Sequence, residues 1–169
     1  ITALSKFEGI SGRMESLQEE PFRVVIDYAH TPDSLEAVYK TLKNKSGGKL
    51  ICVLGSMGGG RDKWKRPKMG KTASIFCDEV ILTNEDPVDE NPESILKDIR
   101  AGMDESKTNV SEIIDRREAI EKAVSIANHG DIVAITGKGR EPYIRVEKGK
   151  RIPWSDGDVT EEILAKHKS

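Results

Sequence analysis

The sequence predicts an α/β fold: an open, mainly parallel sheet with helices on both faces and a C-terminal hairpin. Three observations predict it. Short, dense apolar runs recur along the chain, as expected of strands buried on both faces. Segments with apolar residues at helical spacing separate these runs, so strands and helices alternate. Two prolines directly follow a capping residue, at Thr31-Pro32 and Asn91-Pro92, where a helix can begin without losing a useful N–H.

The first expected strand covers residues 23–28, with Val24, Val25 and Ile26 at its centre. Thr31 caps the helix that follows, which turns Leu35, Val38, Tyr39 and Leu42 to one face. Gly47-Gly48 ends it, and residues 50–54 make a second strand. A glycine-rich loop leads into a helix over 67–76, then a third strand over 80–82. Pro92 opens a helix lined by Ile95, Leu96, Ile99 and Met103. Residues 112–114 read as a short fourth strand. Asp115 and Glu118 read as a capping box for a helix burying Ala119, Ile120, Ala123, Val124 and Ala127. A fifth strand at 132–135, a hairpin over 143–152 turning at Lys148-Gly149, and a last helix over 159–165 complete the chain. This is the pattern of a Rossmann-like sheet, whose ligands bind at the carboxyl ends of the strands. The rule singles out residues 27–31, 55–66, 84–88 and 137–141.

At 169 residues the chain fits one domain, read as 21–169 behind a leading segment 1–20. One third of the residues are charged, yet the net charge is only -2, so nothing global points to nucleic acid or an anionic membrane as partner. No apolar run approaches the roughly eighteen residues of a membrane helix, and none reads as a signal peptide. A cytoplasmic protein is expected, with Cys52 and Cys77 as reduced core thiols. Because the chain begins at Ile1 rather than Met, it is expected to be a piece of a longer protein.

Four motifs fall on the strand ends. In Asp27-Tyr28-Ala29-His30-Thr31-Pro32, the carboxylate can accept bonds from a ribose diol and a ring can pack on a purine; a well-capped turn explains Thr31-Pro32 equally well. The loop from Gly58 to Lys68 carries five positive charges and one negative from Arg61 onward, which suits an anion or a solvated surface loop. It lacks the spacing of a P-loop and of a dinucleotide fingerprint. In Asn84-Glu85-Asp86-Pro87-Val88, acids at a strand end suit a substrate ammonium or an ordinary polar turn. The fourth is Gly137-Lys138-Gly139-Arg140-Glu141. Trp64 and Trp154 are expected to pack at the core or its rim, and His129 and His167 are given no role.

The hexapeptide resembles the motif that opens the carboxy-terminal domain of the Mur ligases, ATP-dependent enzymes that extend the peptidoglycan stem peptide. Gly12-Arg13-Met14-Glu15, Gly59-Gly60-Arg61-Asp62-Lys63, Lys65-Arg66-Pro67, Met69-Gly70, Asp86-Pro87 and Gly137-Lys138-Gly139-Arg140-Glu141 continue the resemblance in order. It is closest to the ligases that add the third residue, the UDP-N-acetylmuramoyl-tripeptide synthetases. The resemblance implies that Arg13 contacts ATP phosphates, Asp27 the ribose, and that Tyr28 and His30 lie near the nucleotide. It implies an amino-acid pocket of Arg61, Glu85, Asp86, Val88, Gly137, Arg140 and Glu141.

Ligases of this kind that add meso-diaminopimelate carry Asp-Asn-Pro-Arg where this chain has Glu85-Asp86-Pro87-Val88, and the arginine grips the far carboxylate. A valine cannot, so the pattern favours L-lysine over meso-diaminopimelate, with Glu141 as partner of the ε-ammonium. Arg140 stands where those ligases usually have a histidine, and could restore the grip from another side. ATP and Mg2+ are the implied cofactors and a UDP-MurNAc-dipeptide the implied partner. The P-loop, the metal ligands and the UDP-sugar site belong in this family to amino-terminal and central domains. No metal ligand and no catalytic residue are therefore expected in this chain, which should fold without catalysing alone. The alternatives are a related ligase of the folylpolyglutamate or cyanophycin type, and a non-catalytic nucleotide-binding module.

Overall fold

A computed structural model describes residues 11–60 and 62–167. Among them, one sheet has six strands: β1 (Glu15–Gln18), β2 (Arg23–Asp27), β3 (Leu50–Leu54), β4 (Glu79–Leu82), β5 (Asn109–Glu112) and β6 (Ile132–Thr136). Their order is β1-β2-β6-β3-β4-β5. All neighbours are parallel except β1, which pairs antiparallel with β2. Five α-helices connect or follow the strands: α1 (Pro32–Lys43), α2 (Lys65–Phe76), α3 (Pro92–Arg100), α4 (Arg116–Ile126) and α5 (Asp156–His167). A separate hairpin pairs β7 (Tyr143–Arg145) with β8 (Arg151–Pro153) across a 3-10 turn at Glu147–Gly149.

The two-residue period of the strands builds two cores. Val25, Leu50, Cys52, Leu54, Val80, Leu82, Ile132 and Ala134 face α1, α2 and α3. Their alternates Val24, Ile26, Ile51, Val53, Ile81, Val133 and Ile135 face α4 and α5. With apolar side chains on both faces, β3 and β6 are wholly buried, so the central strands were legible as unbroken apolar runs. The caps form as expected. Thr31 Oγ1 accepts the Ser34 N–H while the Ser34 hydroxyl accepts the Thr31 N–H. Asn91 accepts from Glu93 at 2.8 Å, and Asp115 from Glu118 at 3.0 Å.

Several expectations need correction. Residues 15–18 of the leading segment form β1, a strand on the edge of the sheet. The strand expected at 112–114 lies at Asn109–Glu112; as an edge strand with a half-exposed, polar face it lacks the apolar run that marks the others. Helix α2 begins two residues before Pro67, and α5 starts at Asp156 rather than Val159, so His167 is helical and meets Phe22 edge to face at 6.2 Å. Trp64 is exposed beside Lys68, whose Nζ lies 4.8 Å from the ring centroid, whereas Trp154 packs as expected. Cys52 and Cys77 are joined in a disulfide instead of standing as reduced thiols. Helix α2 runs back over the sheet, so its C-cap Cys77 comes to stand over Cys52 of β3, with Cα atoms 6.2 Å apart.

Helices α2 and α3 meet at Gly70, where an added Cβ would run into the Ile99 carbonyl. Alanine is intrinsically the better helix residue by about 1 kcal/mol, but here the clash is with backbone. Gly70→Ala is expected to destabilise the domain by roughly 1–3 kcal/mol net, read from urea unfolding; a gain in stability would show that α2 and α3 can separate at no cost.

Candidate functional site

The carboxyl ends of β2, β3, β4 and β6 open on one side of the sheet, as the strand-end rule requires. A cavity of about 290 Å³ lies there, lined by Tyr28, His30, Met57, Asp62, Lys65, Glu85, Asp86, Gly137, Glu141 and Arg145. Of the residues singled out from sequence, Tyr28, His30, Glu85, Asp86, Gly137 and Glu141 therefore converge.

Glu85 and Asp86 follow β4 and are almost wholly buried. Burial raises the Glu85 carboxyl above its ordinary range, and the Asp86 charge adds to this, against the cations Arg116 and Lys138. Its Oε2 has no hydrogen-bond partner and lies 2.6 Å from where a Cβ on Gly137 would sit. With φ of 114°, Gly137 also occupies backbone space that other residues rarely enter. Glycine there is the condition for the carboxyl to reach the cavity wall.

Lys138 is buried and spans two strand ends: its ammonium donates to Asp86 Oδ1 at 2.9 Å and to Glu141 Oε2 at 2.5 Å. Burial alone would lower its pKa, but the bonds to Glu141 and Asp86 outweigh it and hold the amine charged. Glu141 Oε1 accepts from the Tyr28 hydroxyl at 3.3 Å, and the Tyr28 ring meets His30 edge to face at 4.9 Å. Burial and the Glu141 carboxylate push the Tyr28 hydroxyl up, so it stays a donor.

Behind this layer, Arg116 is fully buried. It donates twice to Asp156, at 2.8 and 2.7 Å, and once each to the carbonyls of Asn84 and Thr136. Lys138, Arg116 and Arg145 were not identified as site residues from sequence. Lys138 stood in plain view inside a quoted motif. Arg116 reads as an ordinary first-turn helix residue, and Arg145 as one charge among many in a hairpin; neither carries a local signal.

The other expected residues are placed elsewhere. Arg13 is exposed, with its guanidinium 5.8 Å from the Tyr28 ring centroid, at the mouth of the site. Asp27 is buried and occupied by the backbone: it accepts the Met14 and Ala29 N–H groups, each at 2.7 Å. Arg140 lies outside the cavity lining, paired with Glu15, Asp158 and Glu161, and so ties β1 to α5. Val88 has a left-handed φ of 54°, a genuine outlier for a β-branched residue, and lines a neighbouring cavity of about 420 Å³ with Val146 and Glu147. Arg61 lies outside the described residues. The loop beside it is anchored by buried Arg66, which donates to both oxygens of Glu90 at 2.8 Å and to Asp98 at 2.9 Å.

A doubly wound sheet with an acid- and cation-lined pocket over its carboxyl edge is the geometry of a domain that binds small charged ligands. Residues 12–139 match the family described as Mur ligase, glutamate ligase domain, and the chain belongs to that family. The UDP-N-acetylmuramoyl-L-alanyl-D-glutamate--2,6-diaminopimelate ligase of Aquifex aeolicus is 48% identical over 94% of this chain and 32% of its own length; that of Clostridioides difficile is 44% identical over the same shares. A solved structure of a ligase of the same name superposes with a TM-score of 0.84 at 42% identity, covering 95% of this chain and 33% of its own. The chain spans about a third of the length of these relatives. A folylpolyglutamate synthase from Thermotoga maritima, 21% identical with a TM-score of 0.55, shares the fold.

These relatives, named for 2,6-diaminopimelate, do not support the preference for L-lysine. That preference rested on Val88, whose side chain lines the neighbouring cavity, while the cation Arg145 on the pocket wall was not counted.

Glu90 supplies the test of how the loop is held. The Arg66 hydrogen bond, with help from Lys63 and the Gly60 N–H, pulls its carboxyl from 4.5 down to about 2. Because the folded value is the lower one, the stabilisation is complete above pH 4.5 and fades as the pH falls toward 2. Glu90→Gln is expected to cost roughly 2–3 kcal/mol at pH 7 and almost nothing near pH 2, measured by denaturant unfolding of both proteins across that range. A difference independent of pH would show that the charge is not what holds the loop.

Proposed function

We propose that this chain is the carboxy-terminal domain of an ATP-dependent ligase that joins 2,6-diaminopimelate to a UDP-MurNAc-dipeptide in peptidoglycan precursor synthesis. The observation that carries the proposal is the single pocket in which the acids Glu85, Asp86 and Glu141 stand beside Arg145 and Lys65. Such a lining fits an amino acid with ammonium and carboxylate groups at both ends, and relatives sharing nearly half of this sequence are named for that amino acid.

In this mechanism the dipeptide carboxylate is activated by ATP as an acyl phosphate, and the amine of the bound amino acid attacks it. This chain's part is to bind and orient the amine. The acids hold the non-reacting ammonium, the buried Lys138 holds the Asp86 and Glu141 carboxyl groups in place, and the Tyr28 hydroxyl fixes Glu141. Arg13, exposed beside Tyr28 and with no ion pair to a described residue, fits a phosphate at the mouth of the site. Asp27 fits a ribose only through lone pairs its two backbone bonds leave open. Magnesium would supply charge neutralisation at the phosphates. Among the described residues no three His, Cys, Asp or Glu side chains converge on a metal position, so its ligands are assigned to the rest of the ligase. Domain closure then brings pocket and phosphate together. The enzyme would work in the cytoplasm, where nucleotide-linked precursors are made.

Assayed in the complete ligase with ATP, Mg2+ and UDP-MurNAc-L-Ala-D-Glu, meso-diaminopimelate should be the preferred amino acid over L-lysine and L-ornithine, and the 169-residue chain alone should show no turnover. Preference for L-lysine would refute the substrate assignment, and turnover by the chain alone would refute the division of labour.

A further inference from the structure

One acid and one cation at the inner wall of the pocket, Asp86 and Arg145, are incompletely engaged. Asp86 Oδ1 is saturated, accepting from Lys138 Nζ and from the Arg145 N–H, each at 2.9 Å. Its Oδ2 faces Arg145 Nε at 3.8 Å, too far for a hydrogen bond. Arg145 Nε is buried and has no hydrogen-bond partner. A buried guanidinium N–H without an acceptor is costly unless something else fills the place.

The backbone fixes this residue where it stands. Its N–H is held by Asp86 and its carbonyl accepts the Val88 N–H at 3.2 Å. Ile144 is buried, so the two-residue period of β7 turns Tyr143 and Arg145 the other way, and the Tyr143 ring lies 5.8 Å beneath the guanidinium. Arg145, a residue of the pocket wall, is thus pinned at its main chain and lies against Tyr143, and its buried Nε has no acceptor. The other lysine or arginine of the lining, Lys65, stands at the start of α2, and Lys138 is already satisfied by two carboxylates.

A free acceptor and a free donor side by side match the two groups that an α-amino acid carries on one carbon. We infer that Arg145 holds the carboxylate at the non-reacting end of the incoming amino acid, while Asp86 Oδ2 takes the ammonium on the same carbon. This rests on the diaminopimelate reading above. The orientation follows from depth. Asp86 is only 4% exposed, and on the reading above the acyl phosphate, whose carbonyl carbon the amine attacks as phosphate leaves, comes from the rest of the ligase. The reacting amine points out of the mouth and the other end points inward. Arg145 then discriminates 2,6-diaminopimelate from L-lysine, which has no carboxylate at that end.

The test is steady-state kinetics of the complete ligase carrying Arg145→Ala or Arg145→Lys, with meso-diaminopimelate and with L-lysine, alongside thermal unfolding. Arg145→Ala should raise the KM for diaminopimelate roughly 10- to 100-fold, the effect of losing charge-assisted bonds. Its kcat should change little, and kcat/KM for L-lysine should stay within about threefold. Arg145→Lys keeps a charge but not the fork, and should show a smaller rise with the same selectivity; it carries the test if the alanine variant unfolds. Wild-type use of diaminopimelate with an unchanged KM in both variants, or with equal losses on both amino acids, overturns the role of Arg145 and leaves the proposed function standing. A wild-type enzyme that does not use diaminopimelate overturns both.

Discussion

The site depends on one buried ammonium. Lys138 stands just past β6 and reaches Asp86 past β4 and Glu141 on its own loop. A lysine removed from water is expensive, and two carboxylates at hydrogen-bond distance are what make the arrangement tolerable. The reverse also holds. Without the lysine, three acids in one small cavity would face each other with no cation between them. One cation thus ties two strand ends together. Arg116 repeats the device one layer down, binding the Asn84 and Thr136 carbonyls from the same two strand ends and pinning Asp156 at the start of α5. Both are cross-ties between segments twenty or more residues apart, so they form only when the sheet has formed.

This explains why so much of the fold was legible in the sequence and only part of the site. β3 is apolar at every position and β6 at all but its last, Thr136, because both faces are covered, and Pro32 and Pro92 mark helix starts by covalent geometry. β1 and β5 were missed or shifted because an edge strand with one wet face carries no such run. Strand-end position identified Tyr28, His30, Glu85, Asp86, Gly137 and Glu141 without any contact being known. Position along the chain does not fix where a side chain points, however. Val88 has a left-handed backbone and faces the next cavity, and Arg140 is taken by three acids from β1 and α5. Cys52 and Cys77 were separable from their disulfide only by knowing that α2 folds back along β3.

The same distinction governs specificity. Within one fold, an amino-acid pocket at a strand edge can change its cation from one wall to another, because what a ligand carboxylate requires is a donor at a point in space. In this chain the loop after β4 offers a valine, while the hairpin that follows β6 places an arginine against the same aspartate. The hairpin is pinned to that loop by two hydrogen bonds, Arg145 N–H to the Asp86 carboxylate and Val88 N–H to the Arg145 carbonyl. Losing a charge from one element and gaining it from the other are then changes at a single junction. A motif read along one loop would miss the compensation proposed for Arg145, which becomes visible only from the pairing of the two segments across the cavity.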